Sequence, residues 1–516
     1  MFARITLRPT SLVWSVFKPP VCRQISRRSI SPGSDTKLAP GLLLVSSLLA
    51  GALVFAVTQQ NSRLDALPSS TEEIVQRRDE QRIIQDSYAK HMNDLRASEL
   101  RGKVYTASGH VIRFHGVQHA SNSPCEDEIV HGIAESRGPQ KWAYWAVFDG
   151  HAGGATSKLL KSTLITEVAR DLTKIASDVC INDSIKSTFK RIDDQIMQRA
   201  LDVLRSGKAD SKASKDILSQ AYAGSCALIA MLDPSQSKLR VAVTGDSRAV
   251  LGRYSESQGI YTAIPMSVDQ NGKNPAEKLR IERDHPGEEN VISPRSGRIL
   301  GLAISRAFGD SRWKWSEEDS LLANEKFNGP RLRGLGPPGS VKTPPYLTAE
   351  PEIEEVALKM GDDEPNADFL IMATDGFWDH VRAEDAVTCV AEWVKHQAYN
   401  AKHYQAPAPG IMDGSDRRLL GAFGKNSPIE WPLKKGSDLW PDWAVTPEDF
   451  VYEEHNAATH LVQNAFGGRR RGLFCGAMAE VYPLSRHARD DISVYVIFFG
   501  KVHGKRIFDE PSLRIL

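Results

Sequence analysis

The chain has no excess of charge of either sign, since 65 Lys and Arg residues face 64 Asp and Glu residues for a net charge of +1. Nucleic-acid-binding surfaces need a surplus of basic residues, so no nucleic-acid partner is expected. Cysteine is also scarce, with 6 residues in 516 and no CxxC pair. This scarcity argues against a structural zinc site and against a disulfide-stapled fold.

Acidic residues are absent before Asp35, where basic residues are mixed with Ser and Thr. Residues 1–37 therefore predict a mitochondrial presequence, with a disordered basic tail as the alternative. Charged residues are absent from Leu38 to Ser62, and residues 41–57 are almost wholly apolar. A bilayer core needs about 20 such residues, so residues 38–60 predict a single transmembrane segment rather than a buried helix. Together they predict an inner-membrane anchor, and the flanking charges favour neither orientation.

Beyond this segment, we predict a helical spacer over residues 61–105, a catalytic domain over residues 106–502 and a C-terminal tail over residues 503–516. Residues from about 400 to 450 are rich in Pro, Gly and Trp, which predicts an insertion. Strand patterns come in groups separated by long helical patterns, which predicts the α+β class rather than a parallel sheet. The predicted strands are Val111–Val117, Trp142–Phe148, Ser225–Met231, Leu239–Thr244, Ala249–Arg253, Phe369–Thr374 and Ile492–Phe499.

Acidic residues recur where the predicted strands begin or end. A glycine after such an acid lets the backbone approach whatever the carboxylate holds, although a single Asp-Gly pair is more often a plain turn. Several converging carboxylates without His or Cys form an oxygen-only site, which suits Mg²⁺ or Mn²⁺ rather than Zn²⁺. The candidate positions are Glu126, Asp127, Asp149, Asp246, Asp375 and Asp490.

The run Phe148-Asp149-Gly150-His151-Ala152-Gly153-Gly154 resembles the signature of the metal-dependent (type 2C, PPM) Ser/Thr protein phosphatases. Independent short motifs rarely fall in one order by chance, and further motifs of this family occur here in the family's order. Finer features, such as Pro124-Cys125-Glu126-Asp127 and Trp313-Lys314-Trp315, resemble the mitochondrial pyruvate dehydrogenase phosphatase branch. The further motifs are Gly224-Ser225-Cys226-Ala227, Gly245-Asp246-Ser247-Arg248, Arg306-Ala307-Phe308-Gly309-Asp310, Asp375-Gly376-Phe377-Trp378-Asp379 and Asp490-Asp491-Ile492-Ser493.

The resemblance implies a central antiparallel β-sandwich with helices on both faces, in four layers ordered α-β-β-α. It also implies two bound ions, Mg²⁺ or Mn²⁺. By this resemblance, Asp149 bridges the two ions, and the Gly150 carbonyl and Glu126 bind one of them. Asp375 and Asp490 match the ligands of the other ion.

Three further roles are implied by the same resemblance. Asp246 matches a residue of a weaker third metal site. Asp127 is expected to hydrogen-bond metal-bound water, and His151 matches the residue that protonates the leaving alkoxide. A water that bridges two metals attacks phosphorus directly in such a site, so no nucleophilic Ser or Cys is needed.

The sequence departs from the wider family at Asn122, where many members carry an arginine that binds the phosphate. An amide there cannot supply a charged bidentate contact, so we expect the phosphate to be held mainly by metal waters. We also expect Arg306 and Asp310 to form a buried pair or part of the site. Asp379 is expected to cap the helix that follows it.

These features predict a mitochondrial protein serine/threonine phosphatase, and the branch resemblance makes the E1α subunit of pyruvate dehydrogenase a candidate substrate. A catalytically weak membrane-anchored scaffold, or a pseudophosphatase that binds a phosphoprotein, is the alternative. A hydrolase of small phosphate esters is disfavoured because no nucleotide-binding glycine loop is found.

Overall fold

The computed structural model describes residues 85–106, 109–175, 177–206, 211–327, 341–403, 445–479, 481–483 and 485–502. The predicted presequence, transmembrane segment and C-terminal tail lie outside these residues, as does most of the predicted insertion. Within the described ranges, no helix combines the length and the apolar character needed to cross a membrane.

Two antiparallel sheets form the centre of the molecule. The first has the strand order β1-β2-β14-β13-β9-β10, and the second has the order β12-β8-β7-β4-β3. A small third sheet has the order β11-β6-β5. The strands are β1 Leu100–Tyr105, β2 Val111–His119, β3 Glu128–Ala134, β4 Trp142–Phe148, β5 Gly150–His151, β6 Gly224–Ser225, β7 Ala227–Asp233, β8 Lys238–Thr244, β9 Arg248–Ser255, β10 Ile260–Pro265, β11 Phe308–Gly309, β12 Glu352–Ala357, β13 Phe369–Ala373 and β14 Ile492–Phe498.

Alternate residues of the central strands face two different apolar layers. On β4, Trp145 and Val147 belong to the cluster between the two large sheets, where they meet Phe114 of β2. The intervening residues Tyr144 and Ala146 belong to a second cluster, which lies under helices. This period of two is what a strand buried on both faces requires.

Helices cover the outer face of each large sheet, as their apolar clusters show. Helices α2, α3 and α4 lie over the five-stranded sheet, and α1, α8, α9 and α10 lie over the six-stranded sheet. The predicted four-layer α-β-β-α sandwich of the α+β class is therefore confirmed. The helices are α1 (residues 85–96), α2 Ala155–Leu172, α3 Ile181–Arg205, α4 Lys212–Tyr222, α5 Pro275–Asp284, α6 Glu317–Phe327, α7 Asp375–Trp378, α8 Ala383–His403, α9 Ala457–Ala465, α10 Arg471–Ala479 and α11 Ser485–Ala488.

The predicted helical spacer differs from the structure over residues 85–105. Tyr88, Met92 and Leu95 of α1 are buried in the outer helical layer of the six-stranded sheet. Strand β1 then pairs with β2 along its whole length. From residue 85 onward, the chain is thus part of the packed sandwich rather than a separate spacer, because α1 buries an apolar stripe at helical spacing.

Candidate active site

The carboxylates of Asp149 and Asp246 come together where the chain leaves β4 and β8, the two strands on either side of β7 in the five-stranded sheet. Asp149 follows β4 and Asp246 follows β8, and one ligand atom from each lies within 4.8 Å of the other and of the Cys226 sulfur. The glycine after Asp149 allows the backbone of Glu126 to approach closely, because a Cβ on Gly150 would lie 2.2 Å from the Glu126 backbone oxygen. The Asp-Gly step therefore brings Glu126 against the same site.

Burial and mutual repulsion raise the pKa values of these carboxyl groups. Burial is the largest cause for Asp149, followed by the charges of Asp375, Asp127 and Asp246. The pKa of Asp246 rises to about 8, through burial and then through Asp375. Burial likewise raises the pKa of Asp375. Such a cluster is costly while its charges lack a cation, so it is suited to binding one.

Glu126 and Asp127 precede β3 and extend the acidic cluster. Asp127 is buried, and its Oδ2 has no hydrogen-bond partner among the described residues. Burial and then the charge of Asp491 raise the pKa of Asp127 well above its usual value. The pKa of Glu126 is also raised by burial, although a hydrogen bond from the Gly153 backbone opposes the shift.

Asp490 precedes β14, and it shares an arginine with other carboxylates of the cluster. Its Oδ1 forms an ion pair with the Arg486 guanidinium. The charge of Arg486 also acts on Glu126 and Asp375, where it lowers both pKa values against the effect of burial. One arginine therefore contacts one predicted metal ligand and lowers the pKa values of two others.

The donor set of this cluster fits a hard divalent ion. The neighbouring Cys226 thiol donates to Asp246 Oδ1 across 3.4 Å. Burial and then Asp246 raise the thiol pKa well above its usual value, so the sulfur stays protonated and is a poor metal ligand. Oxygen donors without an available thiolate favour Mg²⁺ or Mn²⁺ over Zn²⁺.

His151 lies in β5, beside a buried carboxylate. Its Nε2 is 2.7 Å from Oδ2 of Asp310, and a Cβ on Gly224 would occupy this contact, 2.0 Å from the same nitrogen. Burial lowers the pKa of His151, but the charge and hydrogen bond of Asp310 outweigh burial and raise it. The protonated imidazole is thereby stabilised, which a general acid requires.

Asn122 does not have the position expected for a residue that faces a bound phosphate. Its side-chain amide donates to Asp491 Oδ2 at 2.9 Å, and its backbone N–H donates to Asp491 Oδ1 at 2.8 Å. The backbone N–H groups of Ser121 and Glu126 donate to the same carboxylate. Burial raises the pKa of Asp491, but these hydrogen bonds outweigh it and lower the pKa. Asn122 thus helps Asp491 to hold the loop before Glu126.

Comparison with known proteins agrees with this arrangement. The model of the family described as "Protein phosphatase 2C" matches residues 112–411. The chain belongs to the protein phosphatase 2C family. It is a protein serine/threonine phosphatase, and phosphatases of this family are metal-dependent.

Two curated relatives of this phosphatase align with it over a longer part of the chain than the family model does. A protein phosphatase 2C homolog of Schizosaccharomyces pombe is 36% identical over 79% of this chain and 84% of its own length. The mitochondrial pyruvate dehydrogenase (acetyl-transferring) phosphatase 1 of Saccharomyces cerevisiae is 32% identical over 76% of this chain and 69% of its own. A solved serine-threonine phosphatase 2C from Toxoplasma gondii aligns over 78% of this chain and 99% of that chain, with 17% identity and a TM-score of 0.40.

Arg306 and Asp310 do not pair with each other, so the expectation of a buried pair is wrong, and Asp310 instead fits the second expectation of a place in the site. Arg306 donates to Glu277 from Nε at 3.0 Å and from Nη2 at 2.5 Å, whereas Asp310 contacts His151. Gly309, the last residue of β11, precedes Asp310 as Gly245 precedes Asp246, and this shared glycine–acid step agrees with a site residue at Asp310.

Asp379 also has a different position from the one expected. It lies at the C-terminal end of α7 rather than at the start of α8, where its exposed side chain responds to the charge of Asp375. Desolvation by the surrounding protein and then the charge of Asp375 raise its pKa to about 7. Two residues four apart, with one helical turn between them, approach each other on one face, which could have indicated this proximity.

Proposed function

We propose that this phosphatase hydrolyses phosphoserine and phosphothreonine in proteins with the help of two Mg²⁺ or Mn²⁺ ions. Asp149, Gly150 and Glu126 would hold one ion, and Asp149, Asp375 and Asp490 would hold the other. Asp246 would contribute to a weaker third site. Bound there, the ions would supply a reactive water and neutralise charge on the phosphoryl group.

In this proposal, the chain's own residues control the protons. Asp310 orients His151 by accepting from Nε2, which leaves the Nδ1 proton available for the departing serine or threonine oxygen. The imidazole is about a quarter exposed, so it reaches solvent from within the site. The buried Asp127 Oδ2 would accept a hydrogen bond from water beside Glu126.

The strongest support for this function is the group of partly buried carboxylates that raise one another's pKa values beside a His–Asp pair. Turnover of a phosphorylated Ser/Thr peptide by the purified chain, with Mn²⁺ and with a chelator, is the direct test. Metal-dependent turnover would support the proposal. A chain that binds the phosphopeptide without turning it over would instead support the pseudophosphatase or scaffold alternative.

We further propose that the substrate is the E1α subunit of pyruvate dehydrogenase and that the protein is mitochondrial. The relative from Saccharomyces cerevisiae is named as a mitochondrial phosphatase of pyruvate dehydrogenase. The basic, acid-free residues 1–34 support import into mitochondria. The apolar residues 38–60 would anchor the chain in the inner membrane.

The side of the membrane decides whether this substrate is accessible. A catalytic domain in the intermembrane space could not reach a complex in the matrix. Protease digestion of intact mitochondria and of mitoplasts would locate the domain. Protection in both preparations is expected for the proposed substrate, whereas digestion in mitoplasts would exclude E1α of the matrix.

A further inference from the structure

Arg486 is the side chain from which we draw a further inference, which rests on the proposed function. It lies in α11, four residues before Asp490, and its guanidinium contacts Asp490 Oδ1. Its side chain is 39% exposed. A partly exposed cation therefore contacts a partly buried acidic cluster, with Glu126 and Asp375 close enough for their pKa values to respond to its charge.

Two other arginines near the cluster are held by partners of their own. Arg248 makes a two-pronged contact with Asp269, at 2.9 Å from Nε and 2.6 Å from Nη2. Arg489 is buried and donates to the backbone oxygens of Ala120 and Ala477. These two arginines stabilise the fold through those contacts, and the Asn122 side chain is hydrogen-bonded to Asp491.

The contact between Arg486 and Asp490 cannot persist unchanged when Asp490 binds a cation. Carboxylate oxygens directed at a divalent ion are less available to a guanidinium, and the two positive groups repel each other. The planar fork of Arg486 would then need another anion. A phosphoryl group beside the metals is such an anion, and its oxygens match the guanidinium in both geometry and charge.

We infer that Arg486 binds the phosphoryl oxygens of the substrate and replaces the charged contact that Asn122 cannot make. The residue reaches the site from the C-terminal segment rather than from the loop before Glu126. Because Arg486 and Asp490 belong to one short segment, the guanidinium stays within side-chain reach of the groups that Asp490 holds.

The test compares Arg486→Ala and Arg486→Lys with Arg205→Ala. Arg205 is a matched control, because it is an exposed arginine that pairs with Asp319 on the outer helices. Calorimetric titration would measure binding of inorganic phosphate to the Mn²⁺-loaded proteins, and binding of Mn²⁺ to the metal-free proteins. Both measurements are independent of turnover, so absent turnover in the unmodified chain would overturn the proposed function without deciding the role of Arg486.

Arg486→Ala should weaken phosphate binding by about tenfold or more, the scale of a lost charge-assisted contact. Its affinity for Mn²⁺ should stay equal or increase, and Arg486→Lys should recover part of the phosphate binding. Arg205→Ala should change neither affinity. Tighter Mn²⁺ binding with unchanged phosphate binding would overturn the inference, because Arg486 would then be only a counterion of Asp490. Weakened phosphate binding with lost Mn²⁺ binding would also overturn it, since the defect would lie in the metal site.

Discussion

Two acidic regions meet at the site, one buried and one partly buried, and their negative charge is stabilised in different ways. Asp491 accepts hydrogen bonds from three backbone N–H groups and from the Asn122 amide, and these bonds lower its pKa. Asp149 lies among carboxylates that raise its pKa. A charge that the fold itself satisfies stabilises the folded chain, whereas a charge that lacks such donors depends on a cation from solution.

This difference between the two regions predicts different consequences for Asp149→Asn and Asp491→Asn. Asp149→Asn should lower metal-dependent turnover of a phosphopeptide by roughly 10⁴-fold or more, because several kcal/mol of stabilisation from each ion depend on it. Metal-free Asp149→Asn should unfold at the same or a higher denaturant concentration than the unmodified chain, since one repelling charge is gone.

Steady-state kinetics and urea unfolding would check both parts of this prediction. Asp233→Asn is the matched control, because Asp233 is also buried but lies at the opposite end of β7 from the site. Near-normal turnover of Asp149→Asn would show that the assignment of this carboxylate is wrong.

The second prediction concerns the His151–Asp310 pair. His151→Gln should lower turnover of a phosphoserine peptide by about 10²–10⁴-fold, the usual contribution of a general acid. Turnover of p-nitrophenyl phosphate should fall much less, because nitrophenolate leaves without a proton. Asp310→Asn should destabilise the protonated imidazole and lower the pKa of His151, so the loss of activity at alkaline pH should move to lower pH. Equal losses of His151→Gln on both substrates would exclude His151 as the acid.

The third prediction concerns Asp491, whose carboxylate accepts its hydrogen bonds from the fold itself. Asp491→Asn should lower the free energy of unfolding by about 2–4 kcal/mol, because it places an amide N–H₂ group against donors and removes a charged acceptor. Urea unfolding of the metal-free proteins would measure this change. If Asp491→Asn matched the unmodified chain in stability while Asp149→Asn was destabilised, the comparison between the two regions would be reversed.

The smallest expected effect is the pH dependence of metal stabilisation. A carboxyl group with a raised folded-state pKa contributes stability at low pH, and that contribution is lost as pH rises through the folded-state value. For Asp246 this value is about 8. The metal-free protein should therefore lose stability between about pH 6 and pH 8, while the ionised carboxylates bind metal more tightly.

Thermal unfolding with Mn²⁺ and with a chelator would measure this effect at both pH values. The difference in melting temperature between the two conditions should be larger at pH 8 than at pH 6. Asp246→Asn should reduce the pH dependence, and Asp233→Asn should leave it unchanged. A stabilisation by Mn²⁺ that is equal at both pH values would contradict the raised pKa of Asp246.

The strands that the sequence predicted are those buried on both faces. Residues Trp142–Phe148 form β4 with the predicted bounds, because a continuous apolar run between turn signals has few alternatives. The four missed strands of the two large sheets, β1, β3, β10 and β12, are their edge strands, and β10 and β12 have much of their surface accessible. Their residues, such as those of Glu352–Ala357, form a strand because a neighbouring strand pairs with them and not because of their own pattern.

The sequence by itself determined the α+β class, the family and the acidic residues that end its strands, since these depend on patterns a few residues long. Tertiary structure alone decided which partners those residues have. His151 meets Asp310 across 159 positions of the chain, and Asn122 meets Asp491 across 369. Neither contact leaves a local signal, because sandwich packing, and not the neighbouring sequence, brings such distant segments together.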